Sequence, residues 1–227
     1  MTASRAGATG EGAPSPLLVG IAGGSGSGKT TSCSALVVAL GPERVARLSH
    51  DAYYRDRSAI PPAMRERLDY DVPDALDQPL FLAHLTALRA GAAVEPPRYC
   101  FATHRRLGMG PTVAPRPIVL IEGILLLCDP DVRMALDLSI FLRAPERLRL
   151  QRRLARDTTE RGRTPESVLA QFQATVRPAH AEWVEPSQER ADLVLSTAGA
   201  IEPLAEIAAH VIGERLARRT TFRTGAA

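Results

Sequence analysis

The chain has 227 residues, 45% hydrophobic and 4% aromatic, with 28 basic against 25 acidic residues and a formal charge of +3. That length suits one sizeable α/β domain, and so even a balance of charge gives no argument for nucleic acid as a partner. Cys33, Cys100 and Cys128 are odd in number and lack C-x-x-C spacing, which argues against a disulfide framework or a zinc site and fits a reducing cytoplasm, and no segment is long and apolar enough to span a bilayer.

Residues 1–16, rich in Ala, Gly, Ser and Pro without an apolar core, read as a disordered tail. A single domain is expected over 17–217, and a short C-terminal tail over 218–227. Leu17 to Ala22 is a short buried strand, and Thr31 to Leu40 a helix. Between them stands Gly23-Gly24-Ser25-Gly26-Ser27-Gly28-Lys29-Thr30-Thr31, and Lys29 is the sole lysine of the chain; every other basic residue is arginine. Apolar runs at Val45 to Ser49, Ile118 to Ile121, Leu138 to Leu142 and Leu193 to Leu195 alternate with helical patterns. These helices are predicted at Leu80 to Ala90, Pro145 to Asp157, Pro165 to Val176 and Pro203 to Arg218. Such alternation predicts a parallel sheet wrapped by helices. From Pro96 to Pro117 the pattern breaks into Arg98 to Phe101 and Pro111 to Val113, separated by Gly108 and Gly110, which predicts an inserted β-hairpin lining a pocket.

The spacing G-x-x-x-x-G-K-[ST] is that of a loop whose backbone N–H groups cradle phosphates, with lysine reaching the β/γ bridge and a hydroxyl on Mg²⁺. Strand before and helix after are the context such a loop requires, and the helix N-terminus adds its own field. Ligands of open α/β sheets lie beyond the carboxyl ends of the strands. Glu122, just past Ile118 to Ile121, is placed to hold Mg²⁺ with Thr30; the alternative is an ordinary strand-end acid. Asp51, just past Val45 to His50, is placed either as a general base for an acceptor hydroxyl or as an N-cap. Arg149, Arg152, Arg153 and Arg156 share one helix face, with Leu150 and Leu154 opposite, and Arg161 and Arg163 follow in a basic loop. The stripe reads as a solvated face or, beside a phosphate loop, as a lid closing over transferring phosphates.

Together these motifs resemble the uridine kinase family, pyrimidine ribonucleoside kinases related to phosphoribulokinase and pantothenate kinase. The likeness runs from about Leu17 to Asp192. It rests on the loop, on Asp51-Ala52-Tyr53-Tyr54, Asp69 to Asp77, Tyr99 to His104 and Glu122-Gly123-Ile124-Leu125. Arg152 to Asp157, Glu160 to Thr164 and Val176-Arg177-Pro178 complete it. The resemblance implies a P-loop NTPase-type three-layer α/β fold with a parallel sheet, an inserted β-hairpin and a helical lid. It implies Asp51 as base on a ribose 5′-hydroxyl, Asp71 on the ribose hydroxyls and Tyr54 shaping the same pocket. Tyr99, Phe101 and His104 would hold the pyrimidine, and Arg153, Arg163 and Gln171 would contact nucleoside or phosphate. Period-two alternation also puts Tyr99 and Phe101 on one strand face and Cys100 on the other.

The expected activity is transfer of the γ-phosphoryl of ATP or GTP to uridine or cytidine, with Mg²⁺ as cofactor. Lys29, Arg156 and Arg161 would offset developing charge, and neither nucleic acid nor membrane is an expected partner. Family likeness further suggests a homotetramer. Two departures from the family pattern stand out: Cys100 replaces an aspartate, and Ser196 to Ala200 lacks the glycine-rich turn with an acidic residue and asparagine near the adenine end. Rival readings are a kinase of another small hydroxyl compound, phosphoribulokinase-like or pantothenate kinase-like, and a nucleotide-dependent switch. A guanine-reading N-K-x-D switch motif would need a second lysine.

Overall fold

The computed structural model describes residues 15–65 and 68–224, and the expected N-terminal tail lies outside that range except for Ser15 and Pro16. Five parallel strands form the central sheet: β1 (Leu17–Ala22), β2 (Val45–Ser49), β5 (Ile118–Gly123), β6 (Leu138–Arg143) and β7 (Leu193–Ser196), in the order β2-β5-β1-β6-β7. β3 (Pro97–Cys100) and β4 (Arg105–Met109) make a separate antiparallel pair. The helices are α1 (Lys29–Leu40), the short α2 (Pro62–Arg65), α3 (Gln78–Arg89), α4 (Pro130–Ala135), α5 (Glu146–Glu160) and α6 (Pro165–Gln171). Two three-residue pieces, α7 (Arg177–Ala179) and α8 (Glu185–Ser187), precede the long α9 (Ile201–Thr224).

The sheet is apolar on both faces because it is covered on both. From β1, Leu17, Val19 and Ile21 pack under α1 and α9, against Leu36, Leu204, Ala208 and Ile212. Leu18 and Ala22 point the other way, into a core built on Phe81, Leu85 and Leu88 of α3 and Val132 of α4. Residues such as Leu17, Leu18 and Ile118 are fully buried, each contributing about 1.5–3 kcal/mol relative to exposure. β1 and β5 therefore sit at the centre of three layers, and their carboxyl ends deliver Gly23 and Glu122 to the same rim.

The predicted sheet strands all appear, each one or two residues longer or equal in extent. The second hairpin strand does not lie where the glycines suggested. β4 is Arg105–Met109, with Gly108 inside it at φ 93, while Val113 forms an isolated bridge to Val94. The helix predicted to end at Val176 instead runs on through π-helical turns at Phe172–Val176 and His180–Val184. α9 passes the expected start of the tail at 218.

Candidate active site

The phosphate loop is shaped by positive φ at Gly26 (77°) and Gly28 (93°), the latter being the N-cap of α1. A Cβ at Gly26 would collide with the Arg149 carbonyl, so only glycine fits there. Lys29 is buried, and its Nζ donates to the carbonyls of Gly23 (2.8 Å) and Gly24 (3.1 Å). Burial lowers its pKa, while Asp51 and Glu122 oppose the shift by favouring the ammonium. The side chain is thus folded back along the loop, and Lys29 lines the cavity in front of it.

Glu122 occupies the end of β5, in register with Ser49 of β2 and Ile21 of β1. Its Oε2 accepts from the Thr30 hydroxyl at 3.0 Å, and Arg47 Nη2 lies 3.3 Å from Oε1. A hydroxyl and a carboxylate meeting beside the phosphate loop are hard oxygen donors, a set that fits Mg²⁺. Asp51 stands in the 3₁₀ turn His50–Tyr53 after β2. The N-cap of that turn is Ser49, so Asp51 caps nothing; its Oδ1 is buried with no hydrogen-bond partner among the described residues. The buried His50 beside it is pinned by Gln78 Oε1 at 2.9 Å and by the Phe81 ring.

α5 buries its charged side. Arg149, Arg153 and Asp157 are its buried residues, while Leu150 and Leu154 are only partly covered. The stripe is therefore not a solvated face. Arg153 donates to Ser25 Oγ (2.9 Å) and Gln171 Oε1 (2.8 Å), and Arg163 also donates to Gln171. Asp157, which no sequence argument singled out, is completely buried and pairs with Arg156 (2.8 Å), Arg161 (3.3 Å) and Arg153 (3.4 Å). One carboxylate so gathers the lid arginines toward the cleft. Arg161 also lies over the Phe101 ring, 4.5 Å from its centroid. Arg152 ties the loop to the segment after β7. Its Nη2 donates to the Thr197 carbonyl (2.8 Å), and the fully buried Thr197 hydroxyl donates to the Ser27 carbonyl (2.7 Å).

On the far side, aromatic rings converge. Tyr99 lies 5.1 Å from Tyr54 and 5.3 Å from Phe101 between centroids, and Tyr70 stacks flat on His104 at 4.0 Å. His104 adopts φ 52, and its pKa is pushed down to about 4 by burial and by Arg163, Arg161 and Arg65. The imidazole is neutral at physiological pH and offers one donor and one acceptor. Asp71 is pushed up to about 6 by burial, with Arg153 opposing and Asp69 and Asp51 adding to the rise. β3 ends at Cys100, so the predicted alternation fails there: Phe101 begins the turn, and Cys100 lines the same cavity as Tyr99 and Phe101. Arg106 of β4 clamps the hairpin to the Asp51 segment through the carbonyls of Tyr54 (2.8 Å) and Tyr53 (3.1 Å) and through Asp77 (3.1 Å).

One cavity of about 920 Å³ joins these parts, running from Gly28, Lys29 and Thr31 past Asp51 and Glu122 to His104. Arg156, Arg161, Arg163, Tyr54, Asp71 and Gln171 also line it, whereas Gly23, Gly24 and Ser27 stand behind the loop surface. Tyr70, Cys100 and Arg152 were not among the predicted site residues. Tyr70 lay in the quoted Asp69 to Asp77 stretch, and its aromatic type beside Asp71 was the one available signal.

The model of the phosphoribulokinase / uridine kinase family matches residues 18–201. The chain is 46% identical over 184 residues to a uridine kinase of Chloroflexus aggregans, spanning 81% of this chain and 88% of that protein. It is 41% identical over 187 residues to a uridine kinase of Escherichia coli K12, spanning 81% and 88% respectively. Among solved structures, phosphoribulokinase from Rhodobacter spheroides shares the fold with a TM-score of 0.58 at 13% identity, covering 81% of this chain and 71% of that one. The chain belongs to the phosphoribulokinase / uridine kinase family and is a kinase.

Proposed function

We propose that this kinase transfers the γ-phosphoryl of ATP to the 5′-hydroxyl of uridine or cytidine. The observation that carries the reading is Asp51 Oδ1. It is buried without a partner among the described residues, in the cavity that joins the phosphate loop to an aromatic hairpin carrying a neutral His104. A carboxylate oxygen left without a hydrogen bond is costly unless a ligand supplies one, and an acceptor hydroxyl does so. The uridine kinases identical at 41–46% support the substrate class.

In this reading catalysis is mostly positioning and charge neutralisation. The loop N–H groups and Lys29 hold the β- and γ-phosphates, and GTP fits the same loop because none of these contacts reads the base. Thr30 and Glu122 would hold Mg²⁺, which neutralises phosphate charge when bound. Asp51 orients the hydroxyl and takes its proton. Arg156 and Arg161, gathered by Asp157, face the transferring group. Asp71 accepts from the ribose hydroxyls, and the flat base lies among Tyr54, Tyr99 and Phe101 with His104 at its polar edge.

The test is ADP release by the purified protein with magnesium and ATP over uridine, cytidine, purine nucleosides, ribulose 5-phosphate and pantothenate. Stimulation confined to the pyrimidine ribonucleosides is expected. Stimulation by a non-nucleoside alone would overturn the acceptor assignment.

A further inference from the structure

Four arginines of the α5 stripe point toward the phosphate loop, and three of them have partners. Arg152 bonds to Thr197, Arg153 to Ser25, Gln171 and Asp157, and Arg156 to Asp157. Arg149 is the exception. It is 4% exposed, its Nε and Nη1 have no hydrogen-bond partner among the described residues, and no carboxylate there is paired with it. Glu146, which pairs with Arg177 at 3.1 Å, and Glu185 both favour the charged form of Arg149, but neither forms an ion pair with it. A buried guanidinium whose N–H groups find no acceptor is costly to hold, and burial lowers the Arg149 pKa despite the pull of these two carboxylates.

Arg149 lines a second cavity of about 370 Å³, behind the phosphate loop and bounded by Gly24, the start of α5 and the π-helical turn carrying His180. His180 Nδ1 is likewise buried without a partner among the described residues. Both groups pack against Gly24 and so stand close together: a Cβ placed there would lie 2.8 Å from His180 Nδ1 and 2.9 Å from Arg149 Nη1, and only glycine leaves them room. Burial, Arg149 and Lys29 hold the His180 pKa down to about 4, so the ring is neutral and able to donate one N–H. Arg143 and Arg177 also line this cavity, against Glu146 and Glu185, and the positive end of α5 faces it. Unsatisfied donors, an excess of arginine and a helix N-terminus all call for the same thing.

We propose that this second cavity is an anion site, in which Arg149 and His180 bind a phosphate-sized oxyanion on the side of the loop away from the transferring phosphates. Arginine's fork fits two oxygens of such an anion. The site touches Gly24, whose carbonyl holds the Lys29 ammonium at 3.1 Å. An occupant therefore adds negative charge next to the residue that positions the catalytic lysine, and like charge opposes triphosphate binding on the opposite side. The proposal stands apart from the identity of the acceptor, because it uses none of the residues assigned to nucleoside.

Orthophosphate binding is measured by calorimetry on the full chain carrying Lys29→Met, which silences the front of the loop, and on the same protein with Arg149→Met or His180→Phe added. Circular dichroism checks that each is folded. Phosphate is expected to bind the Lys29→Met protein, with affinity falling about tenfold or more on adding Arg149→Met, the scale of losing charged hydrogen bonds, and less on adding His180→Phe. No binding to the Lys29→Met protein, or binding unaltered by Arg149→Met, would overturn the site. Should Arg149→Met fail to fold, wild-type crystals soaked in phosphate decide: density between Arg149 and His180 upholds the site, and its absence rejects it.

Discussion

The Tyr70 ring lies parallel to the His104 imidazole, with centroids 4.0 Å apart and planes inclined by 11°. His104 needs such a support, since φ 52 is a conformation that residues other than glycine adopt rarely and at a cost. Tyr70 is itself fixed, its hydroxyl donating to the Arg65 carbonyl at 3.0 Å, and Arg65 donates to the Thr103 carbonyl. The polar edge of the aromatic end of the cavity, proposed to hold the base, is thus set by a segment some thirty residues upstream. Replacing Tyr70 with leucine removes the stack but keeps an apolar filler. KM for the nucleoside is expected to rise about two- to tenfold, the range of an aromatic pair, with kcat nearly unchanged. Steady-state kinetics with varied uridine checks it; an equal fall in kcat would place Tyr70 in the chemical step instead.

The proposed role of Asp51 as base rests on its Oδ1, which has no hydrogen-bond partner among the described residues. Asn at this position keeps the shape and loses the proton acceptor. The expected result is a fall in kcat of about 10²- to 10⁴-fold with ATP affinity little changed. Single-turnover phosphoryl transfer and equilibrium ATP binding read the two quantities separately, and near-normal turnover would remove Asp51 as base.

Lys29 reaches the Gly23 and Gly24 carbonyls at 2.8 and 3.1 Å from a buried position. Arginine keeps the charge but spreads it over a planar fork too wide for that pocket. Lys29→Arg is therefore expected to weaken triphosphate binding by about 10- to 100-fold, comparable to the loss of charged hydrogen bonds. Calorimetric titration with a non-hydrolysable triphosphate is the measurement; retained affinity would show that charge alone suffices.

Burial holds the Asp71 carboxyl up to about 6, above its ordinary 3.8. The folded protein therefore binds this proton more tightly than the unfolded chain, and the group's contribution to stability declines as pH rises from about 3.8 to 6. At pH 7.5 the charged form is a strain on the fold. Asp71→Asn is expected to raise stability there by up to about 3 kcal/mol while weakening nucleoside binding, with a smaller gain at pH 5. Denaturant melts of both proteins at the two pH values test it. An equal effect at both would exclude Asp71 titration as the source.

Much of the site was legible because phosphate binding constrains local sequence. The glycine spacing, the lone lysine and the acids placed just past apolar runs each report a backbone shape or a strand end that neighbouring residues fix. The hairpin was harder to read. Gly108, a separator by the sequence pattern, lies within β4 at φ 93, where the β3–β4 register shifts between Pro97 and Tyr99; such an irregularity in a strand admits a glycine at positive φ. Phe101 left the strand one residue earlier than alternation required, which brought Cys100 into the cavity.

By itself the sequence determined the parallel α/β plan, the phosphate loop and the strand-end carboxylates, since these depend on periodicity and on contacts between residues near in the chain. Only the tertiary structure decided what the arginine stripe does. Periodicity puts four guanidiniums on one face without saying whether that face meets water. The packing of α5 against the loop turned it inward, where Asp157 collects Arg153 and Arg156 together with Arg161 of the following loop. Arg152 bonds to Thr197, and Arg149 is left without a hydrogen-bond partner for its Nε and Nη1 among the described residues. Burial and charge pairing between distant segments are properties of the fold, and no local pattern records them.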